Sequence, residues 1–155
     1  MFAITKDDLE AHTLWLTSDG EQGTKLDKTG LNLANTDLSG TNLAKAHFVG
    51  TNLSNANLAG CDLSGMDCSG ATFTGANLAD ANLTGADLGG VTFDRVNLRG
   101  ANLTGADMSG ATLIDAKLDK ANFTGVDLIA ANLTGTTREG TCFEGTILSD
   151  TQGLS

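Results

Sequence analysis

The chain has 155 residues, 40% of them hydrophobic, and a net charge of −10 from 19 acidic and 9 basic residues. That apolar content suits one folded domain, and no apolar run approaches the ~20 residues of a membrane span, which excludes a disordered chain and a helical membrane protein. The acidic excess repels nucleic acid and anionic lipid, and no basic run offsets it locally, so neither a direct nucleic-acid partner nor a membrane is expected.

Residues 1–25 read as a helical cap. Thr5 is placed to cap a helix whose first turn carries Asp7 and Asp8, with Ile4 and Leu9 spaced as a hydrophobic staple. The spacing predicts that this helix ends near Gly20. Leu9, His12 and Leu16 share one face with Trp15 beside it, which suits a lid over the end of a core better than a ligand site. The opening residues lack the basic start and long apolar stretch of a secretory leader, so a cytoplasmic protein is expected. Cys61, Cys68 and Cys142 form no CxxC and stand far from both histidines, which argues against a disulfide framework or a zinc site.

From Leu31 to Asp150 a five-residue unit repeats 24 times without insertion or deletion. Its central position is Leu in 16 units and Phe in five, with Cys68, Met108 and Arg138 completing the column. Two residues earlier stands Ala in 12 units; the residue between them is Asn in ten and Asp in six; two residues after the centre stands Gly in 15. An apolar pair two residues apart with a polar residue between is the strand period. Five is odd, so the chain must turn once per unit to keep every leucine on the inside, and the Ser/Thr-Gly pair supplies the corner. The result is a solenoid wound around a column of Leu and Ala.

The irregular residues show how many corners make a coil. Thr72, Thr92 and Thr112 step by 20, as do Asp67, Asp87, Asp107 and Asp127, and the pairs Phe73/Phe93 and Phe123/Phe143. Four units therefore close one coil, giving about six four-sided coils and a rod ~29 Å long at ~4.8 Å per coil.

These tandem A-(D/N)-L-x-x units over residues 31–150 resemble the pentapeptide repeat family. The resemblance implies an all-β solenoid, a right-handed quadrilateral β-helix, here with a short N-terminal capping α-helix, a repeat array over 26–150 and a short tail at 151–155. Lys28 and Arg138 depart from the central column and mark the ends of the core, since a charged side chain among leucines is costly unless it reaches water. The tail is too short to cover the last coil, whose edge and apolar side chains are expected to be open. A homodimer through the C-terminal end, with Arg138, Phe143 and Ile147 in contact, would close it.

The feature folding explains least is the column Asp67, Asp87, Asp107 and Asp127, with His47 above and Ile147 below, where stacked like charges should repel. Asp and Asn are interchangeable at this position, so the column has a plain structural reading as a duplicated coil; as an interaction stripe it would face a cationic groove. Carboxylates on a regular ladder facing water do not converge as a metal site requires, so no metal or cofactor is expected. Arg95, Arg99, Lys117 and Lys120 interleave with Asp94, Asp115 and Asp119 and read as a salt-bridged surface. Cys142 is outward, and nothing nearby in sequence suggests a lowered pKa. No nucleophile, P-loop or metalloprotease motif occurs, so no enzyme activity is expected. The expected function is a non-catalytic protein-interaction or scaffold module presenting a rigid acidic rod to an unknown protein partner. The family resemblance implies an alternative, a DNA mimic that binds, inhibits or protects a type II topoisomerase, DNA gyrase.

Overall fold

The computed structural model describes residues 3–154. Its helix, α1, spans Lys6–Thr17. Extended Thr5 precedes it; the Thr5 hydroxyl accepts the Asp8 amide at 3.1 Å and the Asp8 carboxylate accepts the Thr5 amide at 2.8 Å. Thr5 caps the helix as expected, Asp8 adds the return bond of a capping box, and Ile4 and Leu9 both pack against the core. The helix ends short of Gly20 because the Ser18 hydroxyl accepts the Gln22 amide at 2.9 Å and Asp19 turns left-handed, at φ 53°.

Beyond α1 the chain winds in circuits of twenty residues. Parallel bridges join each outward polar residue to its counterpart twenty residues on, from Asp27 with His47 to Asn132 with Gln152. Four such bridges per circuit make four sides. The expected short strands are isolated bridges rather than continuous strands: two of every five residues form the corner, leaving one bridging residue per side. The pairing is regular all the same. The Leu53 amide donates to the Thr72 carbonyl at 2.7 Å, and the Thr72 amide donates back to Thr51 at 3.0 Å.

The second corner residue is left-handed in every unit, whether glycine, as Gly60 at φ 65°, or not, as Arg95 at 58° and Ala130 at 57°. A side chain there costs roughly 1–2 kcal/mol, which is why the column is mostly glycine. The first corner amide is held by the outward Asn or Asp two residues before it; Ser54 N–H donates to Asn52 Oδ1 at 3.0 Å, and Thr84 donates with both its amide, at 3.2 Å, and its hydroxyl, at 2.6 Å, to Asn82 Oδ1. The acceptor that fixes the corner is thus the Asn/Asp column, with the hydroxyl in support.

The central column is buried from Leu33 to Leu133 and lined by the buried alanines. Each fully buried Leu or Phe contributes ~1.5–3 kcal/mol by leaving water. Phe73 and Phe93 stack across one rung with centroids 4.9 Å apart, and Phe123 and Phe143 at 5.4 Å.

Both ends are dressed with polar chemistry. At the N-terminal end Lys28, in the central register, pairs with Asp8 at 2.9 Å. At the other end the column changes to half-buried Arg138, and the alanine positions become Thr136, Thr141, Thr146 and Thr151. Their hydroxyls donate to the carbonyls of Leu133, Leu118, Phe123 and Leu128 at 2.7–2.9 Å. The tail also does more than its length suggested. It turns at Gly153, φ 79°, where a Cβ would overlap the Thr134 amide nitrogen, and lays Leu154 against the core. Ile147 and Leu148 stay exposed, at 47% and 40%.

Candidate interaction face

On the side whose outward residues begin at Asp27, the ladder reads Asp27, His47, Asp67, Asp87, Asp107, Asp127, Ile147, each bridged to the next. The four aspartates expected to stack do so, on rungs ~4.8 Å apart. Asp27 lies one rung before the regular repeat that starts at Leu31, and Lys28 in the central register is the sequence signal of that earlier rung.

Each carboxylate uses one oxygen to hold its own corner. Asp67 Oδ1 accepts the Ser69 amide at 3.1 Å and hydroxyl at 2.8 Å; Asp87, Asp107 and Asp127 accept the amides of Gly89, Ser109 and Ile129 at 3.1, 2.9 and 2.8 Å. Asp87 and Asp107 are exposed, while Asp67 and Asp127 are half-buried. The same corner bond is made without charge on the opposite side, where Asn57 and Asn77 hold Ala59 and Ala79. There each amide also donates to the rung before: Asn77 Nδ2 to Asn57 Oδ1 at 3.1 Å and Asn97 Nδ2 to Asn77 Oδ1 at 2.9 Å. Turn chemistry therefore accounts for a side-chain carbonyl oxygen at this position and not for the negative charge.

At its upper end the ladder meets the cap: the Lys25 ammonium stands 2.6 Å from His47 Nε2, and His47 Nδ1 is 4.0 Å from Asp27. The Thr29 amide, donating at 2.9 Å, holds the Asp27 carboxyl below the usual range. At its lower end Ile129, Ile147 and Leu148 are exposed.

The three residues expected at a C-terminal contact lie in one coil but on different sides. Arg138 and Phe143 occupy half-buried central positions, whereas Ile147 points outward below Asp127. Of the interleaved charges, Arg99 pairs with Asp119 at 3.0 Å. The Thr137 hydroxyl, the Glu139 amide and Arg99 together hold the Asp119 carboxyl below its ordinary range.

Cys142 corrects an expectation. The Thr124 hydroxyl, 3.4 Å from its sulfur, and the Glu144 amide draw this exposed thiol below its ordinary pKa. Thr124 belongs to the preceding coil, too far along the chain to be noticed in sequence. Burial pushes the Cys61 and Cys68 thiols up. Among the described residues no His, Cys, Asp and Glu gather as a metal site requires, and no helix is long and apolar enough to cross a membrane.

The family model for pentapeptide repeats matches residues 29–58, 51–90, 92–128 and 113–150, in 8 copies. No curated protein matches the chain. Among solved structures, a pentapeptide repeat protein from Nostoc PCC 7120 is 28% identical, with a TM-score of 0.55 over 66% of this chain and 78% of its own. A pentapeptide repeat protein of the Arabidopsis thaliana thylakoid lumen is 35% identical over 63% of this chain and 65% of its own, with a TM-score of 0.42. QnrB1, a plasmid-mediated fluoroquinolone resistance protein, is 23% identical over 82% and 72%, with a TM-score of 0.43. The family match indicates a repeat architecture and no enzyme family. With the twenty-residue ladder, the left-handed corners and the family match covering nearly all of the array, the chain belongs to the pentapeptide repeat family.

Proposed function

We propose that this protein is a non-catalytic interaction module of the cytoplasm that offers its carboxylate side to a basic surface of a protein partner. The observation that carries this reading is that the Asp67, Asp87, Asp107 and Asp127 charges are surplus to the corners they hold, since asparagines hold the same corners on the opposite side. Four like charges on adjacent rungs work against folding, and a cationic partner turns that cost into attraction and faster association. The test is capture of binding proteins on the immobilised protein, eluted by a salt gradient. Three baits are compared: the wild type, a variant with the four aspartates changed to asparagine, and a variant altered at Arg138, Phe143 and Ile147. Proteins lost with the aspartates alone support a side-on contact; proteins lost with the end variant alone sink it in favour of the C-terminal end.

A second reading has its own observation: an unbroken run of carboxylates at ~4.8 Å intervals approaches the ~3.4 Å phosphate spacing along a DNA strand. On this reading the rod occupies the DNA channel of a type II topoisomerase, DNA gyrase. Inhibition of gyrase supercoiling that weakens with added salt and with the Asp-to-Asn changes supports it; no effect at micromolar protein at either salt concentration removes it.

A further inference from the structure

We propose that helix α1 is a proton-released latch, held on the first coil by the neutral ring of His12 and let go when that ring is protonated. The chain has two histidines, and both sit in the seam between α1 and the coil. His12 is 0% exposed. Its Nε2 lies 3.1 Å from the Ala44 carbonyl, and its Nδ1 lies 3.1 Å from the Leu26 amide nitrogen. A carbonyl requires a donor and an amide N–H an acceptor, so the ring is neutral with its proton on Nε2. One side chain thereby ties α1 to two separate stretches of backbone. A second proton on Nδ1 would face the Leu26 N–H, breaking one tie and placing a charge where water does not reach.

The surroundings oppose that proton. Trp15 stacks on the His12 ring at 5.9 Å and 9°, and the Lys25 ammonium lies 5.5 Å over the Trp15 ring. Burial first, and then the charge of Lys25, hold the His12 pKa below its ordinary value against the opposing bond to Ala44. His47, on the coil side, accepts from Lys25 at 2.6 Å and so helps to hold that ammonium over Trp15. Around the seam stand the Asp8–Lys28 pair joining α1 to the first coil, Asp27 at 4.0 Å from His47, and Asp19 and Lys45 beside Trp15. The Asp8 and Asp27 carboxyls are held below the ordinary carboxylate range and stay ionised at mildly acid pH, which leaves His12 as the group whose protonation the seam opposes.

The sign follows from the direction of the shift. A released helix returns His12 to an ordinary pKa of about 6.5, so the released state binds more protons than the docked one below that value. Docking is at full strength above about pH 6.5 and weakens as the pH falls. Release withdraws Ile4 and Leu9 from the core and uncovers the first coil, whose buried leucines begin at Leu26.

The experiment follows the whole protein from pH 8 to 4.5 by the emission of Trp15, the one tryptophan, and by binding of an anilinonaphthalene sulfonate dye, with the histidine rings watched by NMR. The expected result is one transition below about pH 6.5 in which Trp15 shifts to the red, the dye binds and His12 protonates together, while circular dichroism from the coils is unchanged. The His12→Gln variant, docked or not, should show a Trp15 emission that no longer varies over this range. His47→Gln, which keeps His12, should retain the transition. Trp15 emission constant to pH 4.5 in the wild type overturns the proposal, as does a transition that survives in the His12→Gln variant.

Discussion

Asp67 and Asp87 occupy adjacent rungs of one parallel ladder, and each commits one carboxylate oxygen to the amide two residues ahead of it, at 3.1 Å in both cases. Their second oxygens are left without a role in the corner. The pair shows in miniature how the side is built: local turn chemistry fixes where the side chain goes and is indifferent to whether it is charged.

Asparagine should therefore replace these residues without loss. In the Asp87→Asn/Asp107→Asn variant the corner bonds persist, each new amide can donate to the rung before it as Asn77 does to Asn57, and rung-to-rung repulsion of ~0.2–1 kcal/mol per pair is removed. Thermal melting should show an unchanged or slightly higher Tm. A sharp fall would mean that the carboxylates hold the coil together in a way their hydrogen bonds do not reveal.

Core substitutions should grade from the middle of the rod to its end. Phe93→Ala removes a 0%-exposed ring stacked on Phe73 and should destabilise by ~3–5 kcal/mol. Phe143→Ala removes a half-buried ring that rests on Phe123, and its cost should be smaller, ~1–2 kcal/mol. Urea unfolding of the two variants measures the difference; equal losses would contradict the burial gradient at the C-terminal coil.

Ala130 carries backbone strain that can be relieved. It is the alanine among the left-handed corner residues, at φ 57°, and it is exposed. Ala130→Gly removes roughly 1–2 kcal/mol of strain against ~0.5–1 kcal/mol of added freedom in the unfolded chain, for a net gain of about 0.5–1 kcal/mol. Calorimetry should register a rise in Tm of a degree or more, and a fall would show that the corner tolerates a side chain at no cost.

The three thiols should separate cleanly. Cys142, exposed and with a lowered pKa, should react fastest with a thiol reagent in the native protein, while Cys61 and Cys68, buried and with raised pKa values, should label only after unfolding. Mass spectrometry of the native and denatured protein should find one label and then three. Early labelling of Cys68 would mean that the coils open more readily than their packing allows.

Residues that recur made the coil readable before any coordinates. The twenty-residue step of the Asp67 series and of Phe73/Phe93 placed side chains on the same sides that the bridges confirm, because a solenoid converts sequence period directly into position. What sequence hid was chemistry between rungs and at the ends. Thr124 acts on Cys142 from the preceding coil, and the threonines that take over the alanine positions at 136, 141, 146 and 151 look like ordinary substitutions until their hydroxyls are seen on carbonyls one coil back or nearby. Leu154 was invisible as a cover because the turn at Gly153 breaks the period that had guided every earlier residue.

The most direct measurement of the carboxylate side as a binding surface compares the wild type with the folded Asp67→Asn/Asp87→Asn/Asp107→Asn/Asp127→Asn variant as capture baits at equal density. If that side is the surface, salt-eluted partners of the wild type disappear from the variant while its melting temperature holds. An unchanged set of partners on a variant without those four charges would contradict the proposal.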